Sequence, residues 1–149
     1  MGRIFKATLW LGFLGLVGIQ FVPVDRSNPP VPGEISAPDQ VMEVLRGACY
    51  DCHSNETQWP WYSRVAPVSW WIAQHVRIGR NNLNFSEWES MTAEDRAEAR
   101  KDIWDEVEKG SMPHSDYLRM HPEAVLTEPQ RQALLLWSEG RAREFPDWN

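Results

Sequence analysis

The sequence predicts an all-α domain carried behind an N-terminal transmembrane helix. Three observations carry that expectation: an uncharged apolar run near the N-terminus, helix start and stop signals that recur through the rest of the chain, and the lack of any convincing period-two alternation. At 149 residues there is room for one small core once the apolar run is set aside. The only two cysteines stand three positions apart, so they cannot build the multi-bridge framework that small secreted domains use in place of a core.

The first element is the apolar run, residues 7 to 24, preceded by Arg3 and Lys6. Its eighteen residues rise about 27 Å as a helix, close to the roughly 30 Å hydrocarbon layer, and no small-x-small cleavage site precedes the proline-rich stretch. Residues 1–24 therefore read as a transmembrane anchor or an uncleaved signal, a signal peptide being the alternative. The basic end stays in the cytoplasm and the rest lies beyond the membrane. Residues 25–35 hold three prolines and a glycine without apolar period, and are expected to form an extended linker. The domain proper is expected over 36–149.

Within it, Ser36-Ala37-Pro38-Asp39 has the form of a capping box, and Val41, Val44, Leu45 and Ala48 follow at helical spacing. Pro67 opens a second helix with Trp71, Ile72, His75 and Val76 on one face, which Gly79 is expected to end. Thr92-Ala93-Glu94-Asp95 caps a third, burying Ala97, Ile103, Trp104 and Val107 and stopping at Gly110. Residues 111–126 read as a loop. Thr127-Glu128-Pro129-Gln130 caps the last helix, whose apolar face is Leu134, Leu135, Leu136 and Trp137 before Gly140.

Composition narrows the partners. Of 15 basic residues, Arg3 and Lys6 belong to the anchor, leaving 13 against 21 acidic ones, so nucleic acid is not an expected partner. Nine tryptophans are present and only Trp10 lies in the apolar run, which leaves eight flat side chains able to wrap a large apolar group.

The strongest local signal is Cys49-Tyr50-Asp51-Cys52-His53, the Cys-x-x-Cys-His pattern of c-type haem attachment. Two thiols three positions apart on a helical turn can each add to one porphyrin vinyl group, and His53, four after Cys49, projects from the same face toward the iron. A structural zinc site needs four ligands, and the other three histidines are scattered singly. A thioredoxin-like pair would open a helix after a strand, whereas this pair ends a helix. A plain disulfide is the bland alternative. Thioether attachment of haem takes place outside the bacterial cytoplasm, which is where the anchor puts the domain.

Two residues compete as sixth ligand. Met112, in Gly110-Ser111-Met112-Pro113, is favoured by its loop position, and a thioether ligand suits an electron carrier. His75, on an apolar helix face, is the alternative, and such a histidine is otherwise a hydrogen-bonded core residue. His114 and His121 read as surface or haem-edge residues.

Cys49 to Thr57, Trp59-Pro60-Trp61-Tyr62-Ser63, Ala66-Pro67-Val68-Ser69-Trp70, His75-Val76 with Gly79-Arg80, Leu83 to Trp88, and Gly110 to Pro113 with Tyr117 and His121-Pro122 together resemble the bacterial haem-binding domain family of small cytochrome-c-like proteins. The resemblance covers about residues 36 to 140. It implies a single-haem domain, usually exported or anchored. His114 stands where a second proline is frequent in distal loops of class I cytochromes c. The Trp59–Trp71 segment is expected to pack around the porphyrin, with Arg64, Arg77 and Arg80 as partners for its propionates.

The function expected from these readings is covalent binding of one haem c and single-electron transfer, by a single-pass protein of the bacterial cytoplasmic membrane whose domain faces the periplasm. Electron transfer implies a redox partner protein, met beside the membrane. A haem-based sensor or peroxidase-like enzyme with an open distal site is the alternative, and a module in which haem is mainly structural is a third.

Overall fold

Among residues 2–145, which the computed structural model describes, there are seven α-helices and five short 3-10 turns, the apolar N-terminal helix and the four expected domain helices among them, and no strand. α1 spans Gly2–Gly18, and a 3-10 turn, Ile19–Phe21, continues it to a 20-residue apolar helix with none of its window buried. Arg3 and Lys6 lie inside its first turns.

Residues 22–38 form no helix, as expected of the linker, yet they are laid along the domain instead of hanging free. The N–H groups of Gly33 and Ile35 donate to the carbonyls of Ser86 (3.0 Å) and Phe85 (2.9 Å), and Ile35 is buried. The prolines keep this stretch extended and its carbonyls open, and Asn55 Nδ2 donates to that of Pro30 at 2.7 Å. Arg80 fixes the same strap: its guanidinium donates to Ser54 O, Ser27 O, Asn28 Oδ1 and Thr57 Oγ1.

α2 covers Asp39–Ala48 and buries Val41, Val44, Leu45 and Ala48. Its start differs from expectation, because Pro38 is the N-cap and Ser36 makes no cap. A cap at Ser36 would require helical Ala37, and the residue before a proline is pushed out of the α region. α3, Tyr50–His53, follows at once, and α4 spans Val68–Asn82. Gly79 does not end α4, which runs one turn further; the glycine is a packing position against α3.

α5, Ala93–Glu108, opens with the expected capping box and ends at Gly110, whose φ of 72° suits a residue without Cβ. Ala99 and Val107 are its buried residues, whereas Ala97, Ile103 and Trp104 are half-buried. The segment expected to be a loop holds a short helix, α6, Ser115–Met120, capped by His114 Nδ1 accepting from the Asp116 N–H. Histidine is a rare cap, so this start had no ordinary signal. α7, Glu128–Ser138, has its expected capping box, and its Pro129 sits in the first turn.

The core lies where α2, α5 and α7 meet, around Leu45, Val107, Leu134 and Trp137, with Phe85 and Trp88 of the 3-10 turn Phe85–Ser90 filling the centre. Trp88 and Trp137 stack at 6.2 Å. Each fully buried aliphatic side chain contributes about 1.5–3 kcal/mol. That core holds the back wall of the cleft described next.

Candidate haem site

α2 ends at Cys49, whose φ, ψ of −124°, −34° breaks the helix and lets the chain restart as α3. The N–H groups of Cys52 and His53 both donate to the Cys49 carbonyl, at 3.2 and 3.0 Å, so one turn carries both thiols and the imidazole. α4 presses on that turn at Gly79, where a Cβ would lie 2.5 Å from Cys52 O and 3.2 Å from Cys52 Cβ. The obstacle is backbone and cannot step aside. Gly79→Ala is therefore expected to destabilise the fold by about 1–3 kcal/mol through overpacking, measured as a lower denaturation midpoint with unchanged slope.

His53 Nδ1 lies 3.1 Å from the Leu83 carbonyl. A carbonyl only accepts, so Nδ1 carries the proton and Nε2 keeps its lone pair, the arrangement that orients a metal-binding imidazole. Burial lowers the His53 pKa from its ordinary value, against the opposing pull of the Leu83 and Gly79 carbonyls, and favours this neutral form. Burial also pushes the Cys49 thiol up to about 12, with a further push from Cys52. The Cys52 thiol rises to about 11 for the same first reason, aided by Asp51 and opposed by Arg80. A dithiol redox pair needs depressed thiols, and these are protonated at neutral pH.

A cleft of about 750 Å³ opens beside this turn, and Cys49, His53 and Met112 all line it. Leu83, Phe85, Met91, Ile103 and Val107 supply an apolar wall, and the volume falls in the roughly 300–1,000 Å³ range of small-molecule and cofactor sites. A neutral imidazole with a free Nε2, thiols at attachment spacing, and an apolar cleft of cofactor size fit a haem. The sequence matches the haem-binding domain family over residues 14–140. The chain belongs to that family. No curated protein and no solved structure shows a significant match to it.

Within this haem-binding domain the other residues singled out in the sequence are distributed unevenly. Met112 is 39% exposed and is placed by the Gly110 turn, its N–H donating to Glu106 O at 3.1 Å. Cys52 is half-buried on the α4 side of the turn and does not line the cleft. His75 does not line it either. Its Nδ1 donates to the Trp71 carbonyl one turn back (2.8 Å), and its ring lies 4.2 Å from that of Trp71 and 5.4 Å from that of His114.

Two further expectations are corrected. The tryptophans of the 59–71 segment do not wrap the cleft: Trp61, Trp70 and Trp71 are exposed, Trp59 is half-buried, and none is a lining residue. The arginines expected to meet propionates lie elsewhere, with Arg80 spent on the strap and Arg64 and Arg77 outside the cleft. The α5 side is acidic instead, through Asp95, Glu98, Asp102, Asp105 and Glu106, with Lys109 the basic lining residue. Nothing in the sequence ties α5 to the attachment turn; its packing on α7, which in turn packs on α2, brings its acidic residues to the cleft.

Residues missed in the sequence surround the attachment turn. Leu83 acts through its backbone carbonyl, which no side-chain motif encodes. Asp51 accepts from Tyr117 Oη (2.9 Å) and from the Gln58 N–H (2.8 Å), which fixes the loop after α3 and docks α6. Tyr117 stacks on His121 at 4.3 Å, and His121 Nε2 lies 2.7 Å from Tyr62 Oη. The family-like Tyr117 thus braces the Cys-x-x-Cys-His turn through Asp51, with His121 stacked behind it.

Proposed function

We propose that this haem-binding domain holds one haem c through thioethers at Cys49 and Cys52, with His53 and Met112 as iron ligands, and transfers single electrons at the outer face of the bacterial cytoplasmic membrane. The observation that carries this reading is the convergence of Cys49, His53 and Met112 on one apolar cleft, with the imidazole tethered through Nδ1 to Leu83. The bound haem supplies a one-electron iron couple. The chain's part is to hold the imidazole in one tautomer, keep water from the apolar wall, and offer a thioether from the Gly110–Pro113 turn. The acidic lining favours the more positively charged oxidised form and so works against the thioether, which favours the reduced one.

Ligand exchange tests the reading against a sensor or peroxidase-like enzyme. The reduced protein is expected to take up carbon monoxide slowly or not at all at neutral pH. Rapid saturation, followed by its absorption change, would mark an open distal position and transfer the case to that alternative.

The location is tested separately. α1 supports an anchor by its length and composition, and a cleaved signal sequence would share both. The mature protein is expected to retain this segment and to stay with membranes after a high-salt wash. A soluble product beginning near Asp25 would show that α1 is removed.

A further inference from the structure

The end of α1 is fastened to the domain by its own side chain. Gln20 Nε2 donates to Ala66 O at 3.1 Å, and the Ala66 N–H donates to Gln20 Oε1 at 2.9 Å, a reciprocal amide pair. The chain then stays on the same side of the domain. Arg26 Nη1 donates to Ser63 O (3.3 Å), Asn28 Nδ2 to Thr57 O (3.0 Å), and Arg80 to Ser27 O and Asn28 Oδ1. Ties at residues 20, 26, 27 and 28 hold this stretch along the domain at both its ends.

The residues around Ala66 are thereby set at the level of the last turn of α1, and they are apolar and exposed. Trp61 is 74% exposed, Val65 45% and Val68 44%, and Phe21 (83%) and Val22 (49%) continue the patch onto the helix end. Trp61 stands edge-on to Tyr62 at 5.8 Å, and exposed Arg64 lies among them. An exposed apolar patch whose middle is hydrogen-bonded to the end of an apolar helix with no buried residue is best covered by what covers the helix. Tryptophan is the residue that settles at headgroup depth, and an exposed arginine beside it suits lipid phosphates.

We propose that the face bearing Trp61, Val65 and Val68 rests in the headgroup layer of the membrane that α1 enters, so that the domain is seated in one orientation and not loosely tethered. The proposal rests on the reading of α1 as a membrane anchor. Seating of this kind fixes the direction in which the cleft faces, and so restricts which partners along the membrane can approach it.

The test uses the full chain in nanodiscs of phosphatidylcholine and phosphatidylglycerol, with the photo-crosslinking residue benzoylphenylalanine introduced as Trp10→benzoylphenylalanine, Trp61→benzoylphenylalanine or Lys101→benzoylphenylalanine. Trp61 and Lys101 are exposed, so neither replacement disturbs packing, and far-ultraviolet circular dichroism confirms the helices. After irradiation, lipid adducts detected by mass spectrometry are expected at positions 10 and 61 and not at 101. Adducts at 10 without 61 would overturn the seating and leave the anchor standing. Adducts at neither 10 nor 61 would overturn both. Adducts at all three would show a domain that tumbles against the bilayer, and the fixed orientation would fall.

Discussion

Cys49→Ala combined with Cys52→Ala is expected to abolish covalent haem altogether in cells competent for c-type cytochrome maturation. Wild-type protein should keep its haem through denaturation and organic extraction, with a pyridine haemochrome spectrum shifted by loss of both vinyl groups. The double variant should release it completely. The two single variants are expected to differ. Cys49 lines the cleft, whereas Cys52 is packed toward α4, so Cys52→Ala leaves a thiol already facing the cofactor volume, and it should retain more single-thioether product than Cys49→Ala. A wild-type spectrum typical of unmodified vinyls would refute the attachment. His53→Ala should remove the proximal bond while thioethers still form, and should free the Leu83 carbonyl that the ring satisfies, at a further cost of about 1–3 kcal/mol.

An ordinary thiol is already mostly protonated at neutral pH, and burial suppresses the thiolate of Cys49 and Cys52 further. Spontaneous oxidation to a disulfide proceeds through thiolate, so purified chain lacking haem should oxidise slowly near pH 7. Rapid oxidation at pH 7 would instead mark an activated dithiol pair.

How much of this was legible in the sequence depends on the range of the interaction. The capping boxes at Thr92 and Thr127 and the stop at Gly110 were readable because each is settled within four residues. The start of α2 was misplaced for an equally local reason, since Pro38 restrains Ala37 and the box at Ser36 could not close. Gly79 shows the opposite case. A glycine late in a helical pattern signals an end or a close approach, and only the placement of α3 decides between them. The Cys-x-x-Cys-His turn was visible at once, but its orientation depends on the Leu83 carbonyl and on Tyr117, 30 and 66 residues away from their partners. Tryptophan count misled: the aromatic excess suggested a wrapped porphyrin, whereas Trp88 and Trp137 build the core and Trp61, Trp70 and Trp71 are exposed. The linker was extended as its prolines require, but composition could not show that Arg80 and Asn55 hold it down.

Met112→Ala is expected to change the iron more than any substitution outside the attachment turn. The oxidised wild-type protein should be low-spin with the weak near-infrared band of sulfur-to-iron charge transfer, and the variant should lose that band and become permeable to carbon monoxide. Axial ligands move haem potentials over about 0.8 V across proteins, so the loss of sulfur should lower the potential here by on the order of 0.1 V. His75→Ala should leave band and potential in place. Its Nδ1 bonds only the carbonyl one turn back and its ring lies against Trp71, so the cost should stay within about 1 kcal/mol. The dependence would reverse under bis-histidine ligation, with Met112→Ala spectrally silent and His75→Ala giving a high-spin, ligand-accessible iron. That outcome demands that α4 turn or shift to bring His75 into a cleft it does not line, against the close contact of Gly79 with Cys52. Met112 needs no comparable movement: it already lines the cleft, on an exposed turn held at its N–H by Glu106. The acidic side of the cleft adds a graded check. Asp102→Asn should raise the potential without touching the near-infrared band, because removing a nearby negative charge disfavours the oxidised iron whichever atom ligates it.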